Sequence, residues 1–342
     1  TSTMTHHTSQ QTAPYRILDH ASDLTRPVLA LDCSCNACSV AIWQDGALLA
    51  CLFEPMVRGH SERLVPMIAE ALDKATITIK EIGIIAVTTG PGGFTGIRLG
   101  LATAQGLQIA TGIPVAGVTT LSALGTAAAV LHNKRHPTLY LAVIDSKRGD
   151  VFAQAFIGGD QKRGGASHDL ARANLDLELH LTPITESQGV PRHAVVTKIV
   201  QPAVEALTRA GYRLPFDLQV IGNLPMDVLE TLLDGHQDLE HQNLAYRNLG
   251  ISEVDVVSAE PDARFVAQYL ASATAGQREM NAFGISDSVH VSADSVPPPL
   301  YIRPPDVSKP KTRTPTLLEP GEREEGKTPK SVPGFGHDGE GA

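Results

Sequence analysis

The sequence predicts an α/β protein, because short apolar strands alternate with helices across glycine-containing turns. The most informative stretch runs from Ile84 to Thr111. Its apolar run 84–87 has the pattern of a strand covered on both faces, and the turn 90–93 leads into a helix with apolar residues at helical spacing. Two hairpins, one after Val28 and one after Leu139, supply further strands.

The first half of the chain gives a clear order of elements. Strands are predicted at 28–31, 39–43 and 48–53, with Asp45-Gly46 as the hairpin turn. A helix follows with Ser61 as its N-cap and apolar residues at 64, 68, 71, 72 and 75 on one face. Thr95 is the predicted N-cap of the next helix. A strand at 115–118 and an alanine-rich helix at 120–131 complete this part.

The second half repeats the opening pattern. Strands at 139–144 and 151–157 flank a turn that begins at Asp145, as the first hairpin begins at Asp32. A buried strand is predicted at 218–222 and a helix at 263–273. The 342 residues leave room for two domains, which we place at 26–137 and 138–305, with a loop or insertion near 158–217. Residues 1–25 and 306–342 are predicted to be a disordered leader and tail.

Composition excludes some classes of function. The net charge of −9 argues against attraction of nucleic acid or membrane over the whole surface. No apolar run is long enough to span a bilayer, and the first residues lack an apolar signal core, so we expect a cytoplasmic protein.

The glycine turn does not match the general phosphate-binding motifs. Gly96 is followed by Ile97-Arg98 rather than the Lys-Ser/Thr of a Walker loop, and Thr95 takes the place of the third glycine of the dinucleotide motif. A tight strand-to-helix connection and an anion site at a helix start both remain open. Asp32 is either a magnesium ligand or the cap of the following turn. The candidate nucleotide-facing residues are Asp32, Ser34, Gly92, Gly93 and Asp145.

Neither cysteines nor histidines predict a metal site. Cys33, Cys35 and Cys38 crowd into one hairpin, where alternating side chains point to opposite faces, so three thiolates do not converge easily. His132 and His136 have helical spacing, but the basic residues between them and the following proline favour a helix end and loop.

The helix after the turn carries a stripe of small residues. Gly96, Gly100, Thr103 and Ala110 recur at helical spacing, so another helix backbone could approach closely. The alternative is that the stripe packs against the chain's own sheet.

Five motifs of the sequence resemble those of the bacterial TsaB (YeaZ) family. They are, in order, LDCSCNACSVAIW, HSERLVPMI, AVTTGPGGFTGIRLGLATAQGLQIATGIPVAGVTTLSAL, IDSKRGDVFAQAF and PLYIRPPD. The resemblance extends over Val28 to Asp306 and is weakest at 158–217. Its central block is highly specific, because no general nucleotide motif demands the whole string.

The resemblance implies a two-domain fold of the actin and sugar-kinase (ribonuclease H-like) type, with mixed five-stranded sheets and flanking helices. It implies a non-catalytic subunit that dimerises with TsaD, the subunit that transfers threonylcarbamoyl to the adenosine beside the tRNA anticodon. TsaE, an ATPase, joins them. ATP and Mg would enter the complex through these partners and none would bind this chain alone; tRNA would be contacted indirectly.

The resemblance also places the contact with TsaD on the helices at 60–75 and 95–110. A homodimer through the same two helices is the alternative. The predicted contact residues are His60, Ser61, Glu62, Arg63, Leu64, Met67, Ile68, Thr95, Gly96, Ile97, Arg98, Gly100, Leu101, Thr103 and Ala104.

The catalytic relative has a His-x-Glu-Gly-His metal motif, and its two histidines align with Gly117 and Leu121 here. Neither residue binds a metal, so we expect no transferase activity from this chain alone. Cys33 and Cys35 stand where threonine or alanine is expected, and Gly93 stands where serine is usual. The rival hypothesis is an independent hydrolase, either a metallopeptidase of the glycoprotease type or an ATPase using Asp32, the 90–95 loop and Asp145.

Overall fold

Two mixed β-sheets with flanking helices form the framework of the chain. The computed structural model describes residues 25–132, 137–158, 181–225, 228, 248–275, 289–292, 295–300 and 302. The predicted disordered tail, nearly all of the predicted leader and residues 159–180 of the predicted insertion lie outside these ranges.

The first sheet has the order β12-β5-β4-β1-β2-β3. Strands β1 (Val28–Asp32), β2 (Ala37–Gln44) and β3 (Ala47–Pro55) form an antiparallel meander. Strands β4 (Ile84–Gly90) and β5 (Val115–Thr119) continue the sheet parallel to β1. The sixth strand, β12 (His290–Ser292), pairs antiparallel with β5. The five strands predicted from the first half of the sequence are confirmed, and the sixth comes from a distant part of the chain.

The second sheet also has six strands rather than the predicted five. Its central path is β11 (Ile251–Ser258), β10 (Phe216–Gly222), β6 (Thr138–Asp145) and β7 (Asp150–Gly158). Two short strands, β8 (Thr182–Pro183) and β9 (Gln188–Pro191), both pair with β7. They lie within the stretch predicted as a loop or insertion, where their shortness hides any periodic signal.

Five helices cover the sheets in the described residues. Helices α1 (His60–Ala75) and α2 (Phe94–Thr111) pack on one face of the first sheet. Helices α3 (Thr120–His132) and α5 (Ala263–Ala275) fill the core between the two sheets. Helix α4 (Gln201–Arg209), preceded by a π-helical turn at Val196–Val200, covers the outer face of the second sheet. No helix in these residues is long and apolar enough to cross a bilayer.

Helices α1 and α2 each begin two residues earlier than the sequence predicted. Gly59 and Gly93 occupy the N-cap positions, so the assignment of Ser61 and Thr95 as caps was wrong. At Gly59 the backbone is left-handed with φ of 94°, a conformation that favours glycine.

The described residues up to Ile302 belong to one compact unit that contains both sheets. Strand β12 and helix α5 come from the predicted second domain, yet they pair with and pack on strands of the first sheet. The proposed boundary at 137/138 stays a prediction.

Candidate functional site

Asp32 ends β1 and is fully buried. Its Oδ1 accepts hydrogen bonds from the hydroxyl of Ser34 (2.7 Å) and from the Ser34 backbone N–H (3.3 Å), while Oδ2 has no hydrogen-bond partner among the described residues. Burial raises the pKa of Asp32 to about 6, against hydrogen bonds from Ser34 and Thr88 that lower it. Asp32 therefore caps the turn, as one of the two sequence hypotheses has it, and ionises less easily than an ordinary aspartate.

The glycine loop 90–93 packs directly on this turn. The backbone N–H of Gly93 donates to the carbonyl oxygen of Ser34 at 2.6 Å. A Cβ at Gly92 would overlap the same carbonyl, so no larger residue fits there without moving the loop. The N–H groups of Ser34 and Gly93 thus already have acceptors within the chain, which leaves neither free to bind a phosphate.

The turn after β6 repeats this arrangement in the second sheet. Asp145 is half-buried; its N–H donates to the side-chain oxygen of Asn223 (2.9 Å), and its Oδ1 accepts the N–H of Lys147 (2.9 Å). The Lys147 ammonium lies close enough to Cys35 to oppose the rise in the pKa of that thiol, which burial causes. The five candidate nucleotide-facing residues therefore lie at the ends of β1 and β6 and in the glycine loop.

The predicted partner residues divide into a buried and an accessible set. The buried side chains pack against the first sheet: Leu64, Met67, Ile68, Ile97, Gly100, Leu101 and Ala104. The exposed or half-buried residues are His60, Ser61, Glu62, Arg63, Thr95, Gly96, Arg98 and Thr103. Only the second set is available to a partner without unfolding of the helices.

The glycine stripe of α2 faces the sheet at its first two positions. A Cβ on Gly96 would overlap the carbonyl oxygen of Cys33, and a Cβ on Gly100 would lie 3.3 Å from Cγ2 of Val87. Intramolecular packing, the alternative left open by the sequence, explains these two glycines. A different set of small residues is exposed on α2 at four-residue intervals, namely Ala102, Gly106 and Ala110.

Sequence reasoning missed the large apolar residues of this outer surface. Val65 of α1 and Phe94 and Ile109 of α2 are exposed, although α1 and α2 contact each other. The sequence contained one signal for them, because their positions do not follow the helical spacing of the buried residues. We use the name α1–α2 face for the exposed outer sides of the two helices, which carry these three residues together with Ala102 and Gly106.

Charged groups hold the α1–α2 face in place. The Arg63 guanidinium bonds the carboxylate of Glu54 on β3 (2.8 Å from Nε to Oε2) and that of Glu70 on α1 (2.6 Å). These bonds hold the pKa of both carboxyls below the usual range. On α2, the Arg98 guanidinium lies 3.6 Å from the centroid of the Phe94 ring.

Comparisons with known proteins point in one direction. A family model described as TsaD, tRNA N6-adenosine threonylcarbamoyltransferase, matches residues 54–198. The tRNA threonylcarbamoyladenosine biosynthesis protein TsaB of Escherichia coli K12 is 38% identical over 125 residues, which cover 36% of this chain and 52% of that protein. An uncharacterized protein of Mycobacterium tuberculosis H37Rv is 31% identical over 182 residues, or 52% of this chain and 78% of that protein. The chain belongs to the TsaB (YeaZ) family.

The solved structure of YeaZ from Pseudomonas aeruginosa confirms the fold of this TsaB-family chain. It aligns with a TM-score of 0.52 at 21% identity and covers 76% of this chain and 97% of that protein. The predicted fold class, mixed sheets with flanking helices, is thereby confirmed. The chain spans about half the length of the curated TsaB relatives that it matches.

The two positions that the sequence resemblance aligned with histidines lie in the core of this TsaB-family chain. Leu121 is fully buried between the sheets. A Cβ on Gly117 in β5 would lie 2.6 Å from Cγ2 of Thr89 and 2.8 Å from Cβ of Pro297, so a histidine does not fit. The described residues contain no group of three or more His, Cys, Asp or Glu that could hold a metal ion. His136 and the side chain of His132 lie outside the described residues.

Proposed function

We propose that this chain is a non-catalytic subunit of the assembly that transfers threonylcarbamoyl to the adenosine beside the tRNA anticodon. In this proposal it binds a TsaD-like catalytic subunit through the α1–α2 face. Two things support it: the role in threonylcarbamoyladenosine biosynthesis that the names of the TsaB relatives state, and the match to the TsaD family model.

The exposed apolar residues of the α1–α2 face are the observation that carries the proposal. Their side chains remain accessible in the isolated chain, at 61% for Val65, 47% for Phe94 and 79% for Ile109. Burying apolar surface gains about 25 cal/mol per Å², so a partner that covers these side chains would be stabilised on binding. Ala102 and Gly106 lie between them on α2, where they allow a partner helix to approach closely.

The rigidity of this face favours tight binding. Arg63 joins α1 to β3, and seven or more apolar side chains anchor both helices to the sheet. A partner therefore meets helices that are already ordered, so little conformational entropy is lost on binding.

The α1–α2 face is tested with Gly106→Leu and Ile109→Asp. No atom beyond the helix backbone lies within 4 Å of a Cβ at Gly106, so the larger side chain should leave the fold intact and obstruct the partner. We expect each variant to melt like the native chain and to bind a TsaD-like subunit at least about tenfold more weakly, measured by calorimetry.

Leu131→Asp is the matched control, because Leu131 is also an exposed apolar helix residue but lies on α3. It should bind normally. Native affinity in both α1–α2 variants would move the interface elsewhere, and no binding by the native chain would refute the proposed function.

A TsaE-like ATPase is the second partner in this proposal, and ATP, Mg and tRNA reach the complex through the other subunits. The buried carboxyl of Asp32 and the internally bonded N–H groups of Ser34 and Gly93 support this division. The test is ATP hydrolysis by the chain alone, expected to equal that of buffer. Turnover that Asp32→Ala abolishes would favour the hydrolase hypothesis instead.

A further inference from the structure

Two free thiols face each other at the end of the β1–β2 hairpin. The Sγ atoms of Cys33 and Cys38 are 3.6 Å apart, and neither residue is in a disulfide. The strand register pairs Asp32 with Ser39, so one further step places Cys33 opposite Cys38. Opposite residues of antiparallel strands have Cα atoms about 4.5–5.5 Å apart, within the range of about 4.4–6.8 Å that a disulfide requires.

We propose that Cys33 and Cys38 form an oxidation site that closes to a disulfide on reaction with a low-molecular-weight disulfide such as glutathione disulfide. We further infer that closure weakens partner binding by the α1–α2 face, an effect that rests on the proposed function. The two sulfur atoms must approach by about 1.5 Å to reach bonding distance, and we infer that this approach displaces the backbone at Cys33.

The chemistry is two thiol–disulfide exchanges. The thiolate of one cysteine attacks one sulfur of glutathione disulfide, which forms a mixed disulfide and releases one glutathione thiolate. The thiolate of the other cysteine then attacks the cysteine sulfur of the mixed disulfide and releases the second glutathione thiolate. The two protons lost by the cysteines are taken up by the two glutathione thiolates, so one disulfide is reduced as one forms.

Either thiol can begin the reaction. The two sulfur atoms are 3.6 Å apart and either thiol can donate the hydrogen bond between them, so the geometry does not distinguish the first nucleophile. The thiolate is the reacting form. Both thiols are buried, so the hairpin end must open locally to admit the oxidant, and we expect oxidation over minutes to hours rather than seconds.

The other two cysteines are placed less well for this reaction. Cys33 and Cys38 belong to the core beneath α1 and α2, whereas Cys35 packs on the opposite face of the hairpin. Cys51 lies on β3, where its thiol contacts the carboxylate of Asp262 at 3.8 Å and burial raises its pKa to about 11. The geometry therefore selects a single pair.

A movement at Cys33 has a direct route to α2. The Cys33 carbonyl oxygen occupies the space where a side chain on Gly96 would lie, and the Ser34 carbonyl accepts the N–H of Gly93. Because these contacts leave no free space, displacement of the Cys33 backbone must shift the first turn of α2. That turn carries Phe94, one of the exposed residues of the α1–α2 face.

The oxidation site is tested on the full chain alone. After incubation with glutathione disulfide, we expect peptide mass analysis to show loss of two hydrogens in the peptide that contains Cys33 and Cys38, reversed by dithiothreitol. Cys33→Ala and Cys38→Ala should each prevent this loss, and Cys51→Ser should not. A chain that retains both thiols after prolonged incubation, or one that links Cys33 to Cys35, would overturn the proposal.

The regulatory effect is tested by calorimetry with a TsaD-like subunit. The oxidised chain should bind about tenfold more weakly than the reduced chain, and glutathione disulfide should not change the affinity of Cys38→Ala. Equal affinity of both redox forms would overturn the regulatory inference. Absence of binding by both forms would instead refute the proposed function and leave the oxidation site standing.

Discussion

Alanine substitution of three glycines in α2 tests the observed packing of that helix. Gly96 contacts the backbone of the loop after β1, Gly100 approaches a side chain of β4, and Gly106 is exposed. All three glycines lie in the same helix, so each substitution gains a similar amount from the higher helix propensity of alanine. Differences in stability among the three variants therefore report on tertiary contacts.

The expected magnitudes follow from the surroundings of each added Cβ. In a helix, alanine is favoured over glycine by about 0.5–1 kcal/mol, and Gly106→Ala should show this gain because no neighbouring atom lies within 4 Å. In Gly100→Ala, the 3.3 Å approach to Val87 should offset most of the gain. In Gly96→Ala, overlap with the Cys33 carbonyl should cost about 1–3 kcal/mol or more, since a backbone group cannot rotate away.

Thermal unfolding measures the series directly. At about 2–4 °C per kcal/mol, Gly106→Ala should raise Tm by about 1–4 °C and Gly96→Ala should lower it by about 2–12 °C. Gly100→Ala should fall between them. A Gly96→Ala variant as stable as Gly106→Ala would refute the close contact between α2 and the loop, and with it the route proposed for the redox effect.

Two further substitutions test buried polar groups. Because the pKa of Asp32 is raised to about 6 in the folded chain, its protonated form stabilises the fold at low pH, and about 2 kcal/mol of this stability is lost as pH rises from 4 to 6. Asp32→Asn should remove that loss in urea unfolding across this range, and an unchanged pH profile would show that Asp32 titrates normally. Gln219 on β10 is buried with both amide atoms unpartnered among the described residues, so Gln219→Met should raise the unfolding free energy by about 1 kcal/mol. A loss of stability in Gln219→Met would indicate that Gln219 makes a hydrogen bond to bound water. Gln154→Met is the control, because it removes the observed hydrogen bonds of a buried glutamine on β7 and should therefore lower the unfolding free energy.

The sequence by itself determined the local elements of this protein. The apolar run 84–87 predicted a strand covered on both faces, and β4 is buried along its whole length. The helical spacing of Leu64, Ile68 and Ala71 predicted the buried face of α1. These signals are reliable because strand and helix periodicities fix which residues share a face.

The tertiary structure alone decided what each face meets. Helical spacing grouped Gly96 with Gly100 but could not show whether they faced a partner or the sheet, because that depends on the direction from which α2 packs on β4. The same limit applies to Asp32, which is fully buried and bonded to Ser34, a surrounding that its place at a strand end does not show.

Long-range pairing was also beyond the sequence pattern. Strand β12 and helix α5 return from a distant part of the chain to the first sheet, and no local periodicity in the sequence indicates such a partner.

The Cys33–Cys38 pair shows both what the sequence predicted and what only the tertiary structure decided. Alternation along the strands correctly argued against convergence of three thiols, but only the register of β1 with β2 placed two of them opposite each other. Register is set by pairing between strands, which depends on contacts that a single segment does not contain.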